Sequence, residues 1–340
     1  MTVRINKSAF NIREKLSELE RPIGVKGNEL MRAETAQDAR DFISAGRKNM
    51  IINGDFRINQ RGGSNTTINT YALDRWRSYG GPMGFTISQQ DVLSSLETSR
   101  YALRFQRTSG NTQTNNTGIV QGIESKNCEG LAGTQLTLSF KARRGADLSD
   151  DLDARLFYGT GTDDNPVSMT GMTNDGGTHF TLTTSFASYT KTVTVPAGIT
   201  QISLAFAVTP SGTAGANDWF EVTEVQLEVG KNSTEFEHRS YGEELALCQR
   251  YFYTLNNGTG TYRWFHPIAT SGPNYRRCPI EFPVTMRANP VVTNIVAHMG
   301  GVAVSAGTQH IDLDHVDFTY TSTNTDHYGE VRAADFSAEL

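Results

Sequence analysis

The stretch KNMIINGDFRINQRG, residues 48–62, decides how the chain is read. An apolar run, Met50-Ile51-Ile52, stops at Asn53-Gly54-Asp55. An alternating run, Phe56-Arg57-Ile58-Asn59, follows and ends at Arg61-Gly62-Gly63. Before this stretch the apolar residues recur with helical spacing; after it they alternate. A change of period from 3.6 to 2 marks a domain border. The stretch is therefore predicted to be the first strand of a β-domain.

The alternation downstream is sustained. Residues 135–142 (QLTLSFKA), 190–195 (TKTVTV), 199–206 (ITQISLAF) and 220–229 (FEVTEVQLEV) read as strands of alternating polar and apolar residues. Further strands are predicted at 83–88, 101–107, 118–124, 153–158 and 178–183. Turns rich in Gly, Asn, Asp and Ser separate them, the pattern of a β-sandwich of jelly-roll type over 49–236. Residues 237–340 carry a short helix near 241–251 and then strands near 261–270, 301–305, 309–320 and 328–336. PIEFPVTMRANPVVTNI (279–295) gives two more strands joined by a turn. Pro283 and Pro290 belong at strand edges or starts, because proline donates no ladder hydrogen bond. This region is predicted to be a smaller second β-sandwich. The fold class is thus mainly β, preceded by short N-terminal helices.

Residues 1–48 carry those helices. Ile5, Ala9, Ile12, Leu16 and Leu19 follow at spacings of four, three, four and three, an a/d stripe with Leu16 at a and Ile12 at d. Leu at a with Ile at d favours trimers or tetramers over dimers. The stripe is under three heptads long, so it fits a self-associating stalk, a segment that docks on another protein, or a helix packed on its own domain. Pro22 ends it. A second helix, capped by Thr35 and closed by Gly46, is expected before the β-region.

Composition narrows the function. The chain has 340 residues, 31 Lys and Arg against 36 Asp and Glu, and a net charge of −5. A phosphate-binding surface needs a basic excess, so nucleic acid is not an expected partner. No run of about 18 apolar residues is present, so no membrane insertion is expected. The start MTVRINKSAF lacks the apolar core of a signal peptide. Cys128, Cys248 and Cys278 are odd in number and widely spaced, as three reduced thiols would be. No GxSxG, HExxH or P-loop sequence occurs, and the chain is expected not to be an enzyme.

NMIINGDFRINQRG, followed by YALDRWRSYGG and closed by WFEVTEVQLEVG, resembles the jelly-roll modules of the carbohydrate-binding-module superfamily. With FEHRSYGEELALCQRYFY, KSAFNIREKLSELERPIGVKGNELMRAETAQDARDFI and the end ADFSAEL, the set is similar to phage tail-fibre and related virion proteins, particularly of marine and cyanobacterial phages. The resemblance implies a structural fibre or spike protein, homotrimeric, made in the host cytoplasm and carried on the virion, on tail or head. Its N-terminal segment would attach to other virion proteins, and its β-domains would bind host surface glycans. Two alternatives stay open: a purely structural connector or decoration protein, and a polysaccharide depolymerase.

Three residue sets are candidates for chemistry. Trp76, Tyr79 and Trp219 are aromatics near the jelly-roll ends that offer faces to sugar C–H groups, with packing as the competing role. No cofactor is required, but the modules resembled often hold a structural Ca²⁺ between first and last strands, which would use Asn53, Asp55 and Glu221. Against that, Asn53-Gly54 makes a turn or bulge and Asp55 pairs with Arg57 or Arg75. Finally, HIDLDHVD would put His310, Asp312 and Asp314 on one strand face, where a solvated face is the simpler reading than a metal site.

Overall fold

A computed structural model describes residues 48–255, 263–265, 268–269, 275–299, 302–321 and 329–340. The expected N-terminal helices, with Ile5, Ala9, Ile12, Leu16 and Leu19, lie outside the described residues.

Strands appear where the alternation predicts them. In chain order they are β1 (Ser64–Asn65), β2 (Tyr71–Leu73), β3 (Trp76–Gly80), β4 (Phe85–Asp91), β5 (Tyr101–Arg107), β6 (Thr117–Ile123) and β7 (Gln135–Arg144). Then come β8 (Leu152–Gly159), β9 (Thr173–Asn174), β10 (Thr178–Phe180), β11 (Ala187–Thr194), β12 (Gln201–Val208) and β13 (Trp219–Val229). They form two antiparallel sheets. One has the order β1-β4-β5-β13-β7-β11; the other has β10-β8-β12-β6-β3-β2, with β9 on β8. From β5 to β8 the chain changes sheet at every step, and again from β10 to β13, so the inward residues of both sheets meet in one core.

Leu136, Leu138, Phe140 and Ala142 of β7 are all buried in that core, beside Ile202, Leu204 and Phe206 of β12. Phe85, Phe105 and Phe220 stack across β4, β5 and β13 with centroids 5.1 and 5.4 Å apart. Such pairs add about 0.5–1.5 kcal/mol each beyond their burial. The outward positions of the first sheet are polar, as a half-solvated sheet requires.

Residues 48–62 correct the sequence reading. They form no strand; they form a buried elbow. Asn53 and Phe56 have φ of 57° and 56°, left-handed values that break an extended run. Asn53 is fully buried. Its Oδ1 accepts from the Ile58 amide at 3.0 Å, and its Nδ2 donates to the carbonyls of Ile58 and Asp74 at 2.9 and 3.1 Å. The elbow lies along β13, whose pairing with β5 covers only Trp219 to Val222. Beyond that point Met50 N donates to Leu227 O at 2.9 Å, Leu227 N to Asn49 Oδ1 at 3.1 Å, and Val225 N to Gly54 O at 2.9 Å. The elbow thus supplies the backbone partners that β5 does not.

Helix α1 (Tyr241–Gln249) follows, with Ser240 as its N-cap. The second unit has one sheet of β14 (Phe252–Thr254), β15 (Arg263–Phe265), β18 (Val291–Met299), β19 (Val302–Val304) and β22 (Gly329–Ser337). The other has β16 (Ile268–Ala269), β17 (Tyr275–Glu281), β20 (Ala306–Ile311) and β21 (His315–Thr321). Phe336 is its hub, with ring centroids 5.7 Å from Tyr253, 5.0 Å from Phe282 and 6.1 Å from Phe318. Pro283 and Pro290 fall between β17 and β18, with Pro290 immediately before a strand, where the missing N–H costs nothing.

The C-terminal residues join this unit to the sandwich. Glu339 pairs with buried Arg75 and, at 2.8 Å, with Arg61. Arg75 also lies over the Tyr251 ring at 3.4 Å, and Tyr71 donates from its hydroxyl to Leu340 O at 2.9 Å. Arg250 meets Glu124 at 3.0 Å, and Arg287 meets Asp163 at 3.1 Å.

A Cβ on Gly54 would overlap the Val225 carbonyl oxygen, a backbone atom that cannot rotate away. Gly54→Ala is therefore expected to lower the unfolding free energy by about 1–3 kcal/mol, the usual cost of overpacking, as measured by urea titration. Gly110→Ala, whose added Cβ meets nothing within 4 Å, reports the cost of the positive φ alone.

Candidate functional site

The elbow shapes the outer face of the first sheet. Between Thr223 and Gln226 the register of β13 on β7 shifts, a β-bulge. Glu224 sits in that bulge with φ of 49°, a left-handed conformation that a side-chain-bearing residue adopts only when its surroundings enforce it. Val225, the next residue, is held from both sides: its N–H donates to Gly54, and its carbonyl accepts from Asn49 Nδ2 at 3.0 Å. The bulge keeps Val222, Val225 and Leu227 in the core and aims Glu224 outward.

A cleft of about 400 Å³ opens beside it, lined by Thr98, Ser139, Lys141, Thr190, Glu224 and Phe236 among others. Ser139 and Lys141 come from β7 and Thr190 from β11, so neighbouring strands supply hydroxyls to one surface. Lys141 Nζ stands 2.9 Å from Glu224 Oε2 and 2.7 Å from Thr98 Oγ1, and the Thr98 hydroxyl donates to Glu224. Burial raises the Glu224 pKa, but the hydrogen bonds from Lys141 and Thr98 outweigh it, and the carboxyl is held below its ordinary value. Phe236 forms the far wall. It meets His238 edge-on at 4.9 Å, and its Cε2 lies 3.3 Å from the position a Gly54 Cβ would take. Half-buried aromatic area, hydroxyls and one ionised carboxylate are the chemistry of a polar, ring-shaped ligand.

A second group of side chains lies on the same face. Glu221 of β13 is directly opposite Arg104 of β5 and Arg143 of β7. It is fully buried; its Oε1 accepts from Arg104 Nε and Nη2 at 2.8 and 2.5 Å, and its Oε2 from Arg143 Nε at 2.6 Å. Trp219, two residues before Glu221, carries the Arg104 guanidinium 4.2 Å from its ring centroid, a cation–π contact.

Of the three aromatics expected to meet sugar, only Trp219 reaches the surface, and Arg104 covers it. Trp76 is fully buried, 5.1 Å from Phe56, and its indole N–H donates to Asn53 O at 3.1 Å, so it is a core residue. Tyr79 packs with Val120, Ala205 and Ala207, and burial raises its hydroxyl pKa. The calcium set does not assemble. The oxygens of Glu221 are taken by two arginines, Asp55 pairs with Arg57, and Asn53 spends its amide on Ile58 and Asp74. His310, Asp312 and Asp314 do not share a strand face. Asp312 and Asp314 stand in the turn between β20 and β21, where Asp312 accepts from the amides of Asp314 and His315 at 2.9 Å each and Asp314 accepts from Thr285 at 2.7 Å. Among the described residues no group of three or more His, Cys, Asp or Glu side chains is placed to hold a metal ion. Cys128 and Cys248 are buried and unbridged; the Cys278 side chain lies outside the described residues.

Sequence reading missed Glu224, Phe236, Arg104 and Arg143. A signal for the first was present. Val222 and Val225 are three apart, so the alternation of 220–229 slips by one residue, the mark of a bulge. Phe236 lies in a segment without period and gives no such sign.

No protein-family model and no curated protein matches the chain. Solved structures share part of its shape. The enzymatically active domain of tailspike protein 4 from bacteriophage CBA120 is 16% identical with a TM-score of 0.37, over 54% of this chain and 21% of that one. A CBM4 structure is 17% identical with a TM-score of 0.33, over 52% of this chain and 98% of that one. TmCBM61, solved with beta-1,4-galactotriose, is 14% identical with a TM-score of 0.32, over 54% and 100% of the two chains. The chain thus spans about a fifth of the tailspike domain and nearly all of the two modules.

Glu224 has a depressed folded-state pKa, so its contribution to stability is present above its unfolded pKa and is lost as pH falls through the lower folded value. Glu224→Gln is expected to melt below the wild type at pH 7. The gap narrows as pH falls through the lowered folded-state value and wild-type Glu224 takes up its proton. Paired thermal melts over a falling series of pH values check this.

Proposed function

We propose that the chain is a non-enzymatic glycan-binding protein of a phage fibre or spike, with the cleft beside the β13 bulge as its sugar site. The observation that carries the proposal is the cleft's make-up: hydroxyls of Thr98, Ser139 and Thr190, an ionised Glu224 and the half-buried ring of Phe236 around one open space. Sugars offer hydroxyls to the polar groups and an apolar C–H face to the ring. Binding rather than hydrolysis fits the electrostatics. A glycosidase acid needs a carboxyl held protonated near neutral pH, whereas Glu224 is held ionised by Lys141 and Thr98. The phage assignment rests on the ordered sequence motifs from NGDF to FEHRSYGEELALCQRYFY. The N-terminal stripe of Ile5, Ala9, Ile12, Leu16 and Leu19 supplies the trimer contact, so that three linked weak sites gain about 10²–10⁴ in avidity.

Two measurements follow. On a glycan array the full chain is expected to bind neutral oligosaccharides, and Phe236→Ala to weaken that binding about tenfold with the melting point retained, the loss of one stacking contact. Intact binding by Phe236→Ala would remove the cleft from the account. Light scattering of the full chain is expected to give three times the 37.4 kDa chain mass; a monomer would refute the trimer.

A further inference from the structure

The row Arg104–Glu221–Arg143 has more positive charge than its own salt bridges use. Two guanidiniums share one carboxylate, which leaves a net charge of +1 at this end of the face, whereas Lys141 and Glu224 cancel in the cleft. Arg104 spends Nε and Nη2 on Glu221, and Arg143 spends only Nε. Nη1 of Arg104 and both Nη groups of Arg143 have no hydrogen-bond partner among the described residues. The two side chains are 24% and 18% exposed, enough to reach solvent while staying fixed.

The fixing is thorough. The buried Glu221 sets both Nε positions, Trp219 lies under Arg104, and Phe186 lies 4.6 Å from the Arg143 guanidinium. Trp219 acts here as a positioning residue, not as a stacking platform for ligand. Guanidiniums held this way lose little freedom on binding an anion, and their planar forks match the two oxygens of a carboxylate. The row is also continuous with the cleft. Arg143, Lys141 and Ser139 are alternate residues of β7, so they share the outer face at about 6.6–6.8 Å intervals.

We infer that the Arg104–Arg143 row is a second subsite that selects acidic sugars, taking the carboxylate of a uronate in the same chain whose neutral ring occupies the cleft. The inference rests on the glycan-binding reading and names the ligand class for it. Water is the other partner open to these three Nη groups; the anion replaces it on N–H-bearing groups that Glu221 already fixes.

The test compares a tetrasaccharide of three neutral sugars and one glucuronate with the same tetrasaccharide after its carboxyl group is reduced, by calorimetry on the full chain. In about 50 mM NaCl the acidic oligomer is expected to bind at least about tenfold tighter, and in about 500 mM NaCl the ratio is expected to fall toward one. Arg143→Lys keeps the charge and removes the Nη fork; it is expected to cut the ratio at least about threefold while leaving the neutral oligomer's affinity unchanged. Equal binding of the two oligomers by the wild-type chain in about 50 mM NaCl overturns this inference and leaves the neutral cleft standing. No binding of either oligomer overturns both. A tetrasaccharide sulfated in place of its carboxyl group is the third arm: an equal gain there overturns the assignment to a planar carboxylate. The wild-type comparisons decide the matter even if Arg143→Lys fails to fold.

Discussion

The approach of Gly54 to the carbonyl of Val225 is the constraint on which the rest of the sandwich depends. β13 is paired on one side by β7 along most of its length, but β5 leaves it after Val222. A long buried strand with unpaired amides is not tolerated, since each orphaned group costs about as much as a lost hydrogen bond. Residues 49–54 fill the vacancy. They fit only because residue 54 has no side chain and because Asn53 takes a left-handed turn whose amide is satisfied by Ile58 and Asp74. The bulge at Glu224, the outward aim of its carboxylate and the seat of Phe236 all follow from that fit.

The two faces of the first sheet divide the work. The inner face holds the aromatic and aliphatic core, with the Phe85–Phe105–Phe220 stack crossing three strands. The outer face holds charges in register: Glu221 between two arginines, then Glu224 with Lys141. Full burial of Glu221 is tolerated because both oxygens are hydrogen-bonded to cations; removing either arginine would leave a charge that burial penalises. The second unit is coupled to the sandwich by the same means. Arg75 is buried against Glu339 and Tyr251, and Arg61, Arg250 and Arg287 add ion pairs around it. Ion pairs at a junction fix geometry more than they add stability, since desolvation offsets much of their attraction.

Most strands were legible because a sheet with one buried face must alternate. β4, β5, β7, β8, β12 and β13 lie where period 2 places them. The short β2–β3 hairpin was not seen, because YALDRWRSYGG has apolar and charged residues mixed: Arg75 is buried there against Glu339, far along the chain, and Asp74 against Gln60. The elbow misread has a related cause. MIIN looks like a strand because Ile51 and Asn53 are buried and Met50 and Ile52 half-buried, and burial without hydrogen-bond register leaves the same mark. Trp76 illustrates the limit for the site: an aromatic beside a turn is as compatible with a core anchor as with a sugar platform, and only its bond to Asn53 O decides. Phe236 and the arginine row became functional candidates only through contacts across 78 or more residues of sequence, which no local pattern encodes.

Native-state amide hydrogen exchange at Val225 and Leu227 tests the central claim most directly. If the elbow completes β13, these two amides exchange only by global unfolding, as slowly as those of Leu138 and Leu204 in the middle of the sheets. Exchange at the rate of a surface loop, with Leu138 and Leu204 still protected, would mean that the elbow is an ornament on the sandwich and that the bulge, the cleft and their chemistry have some other origin.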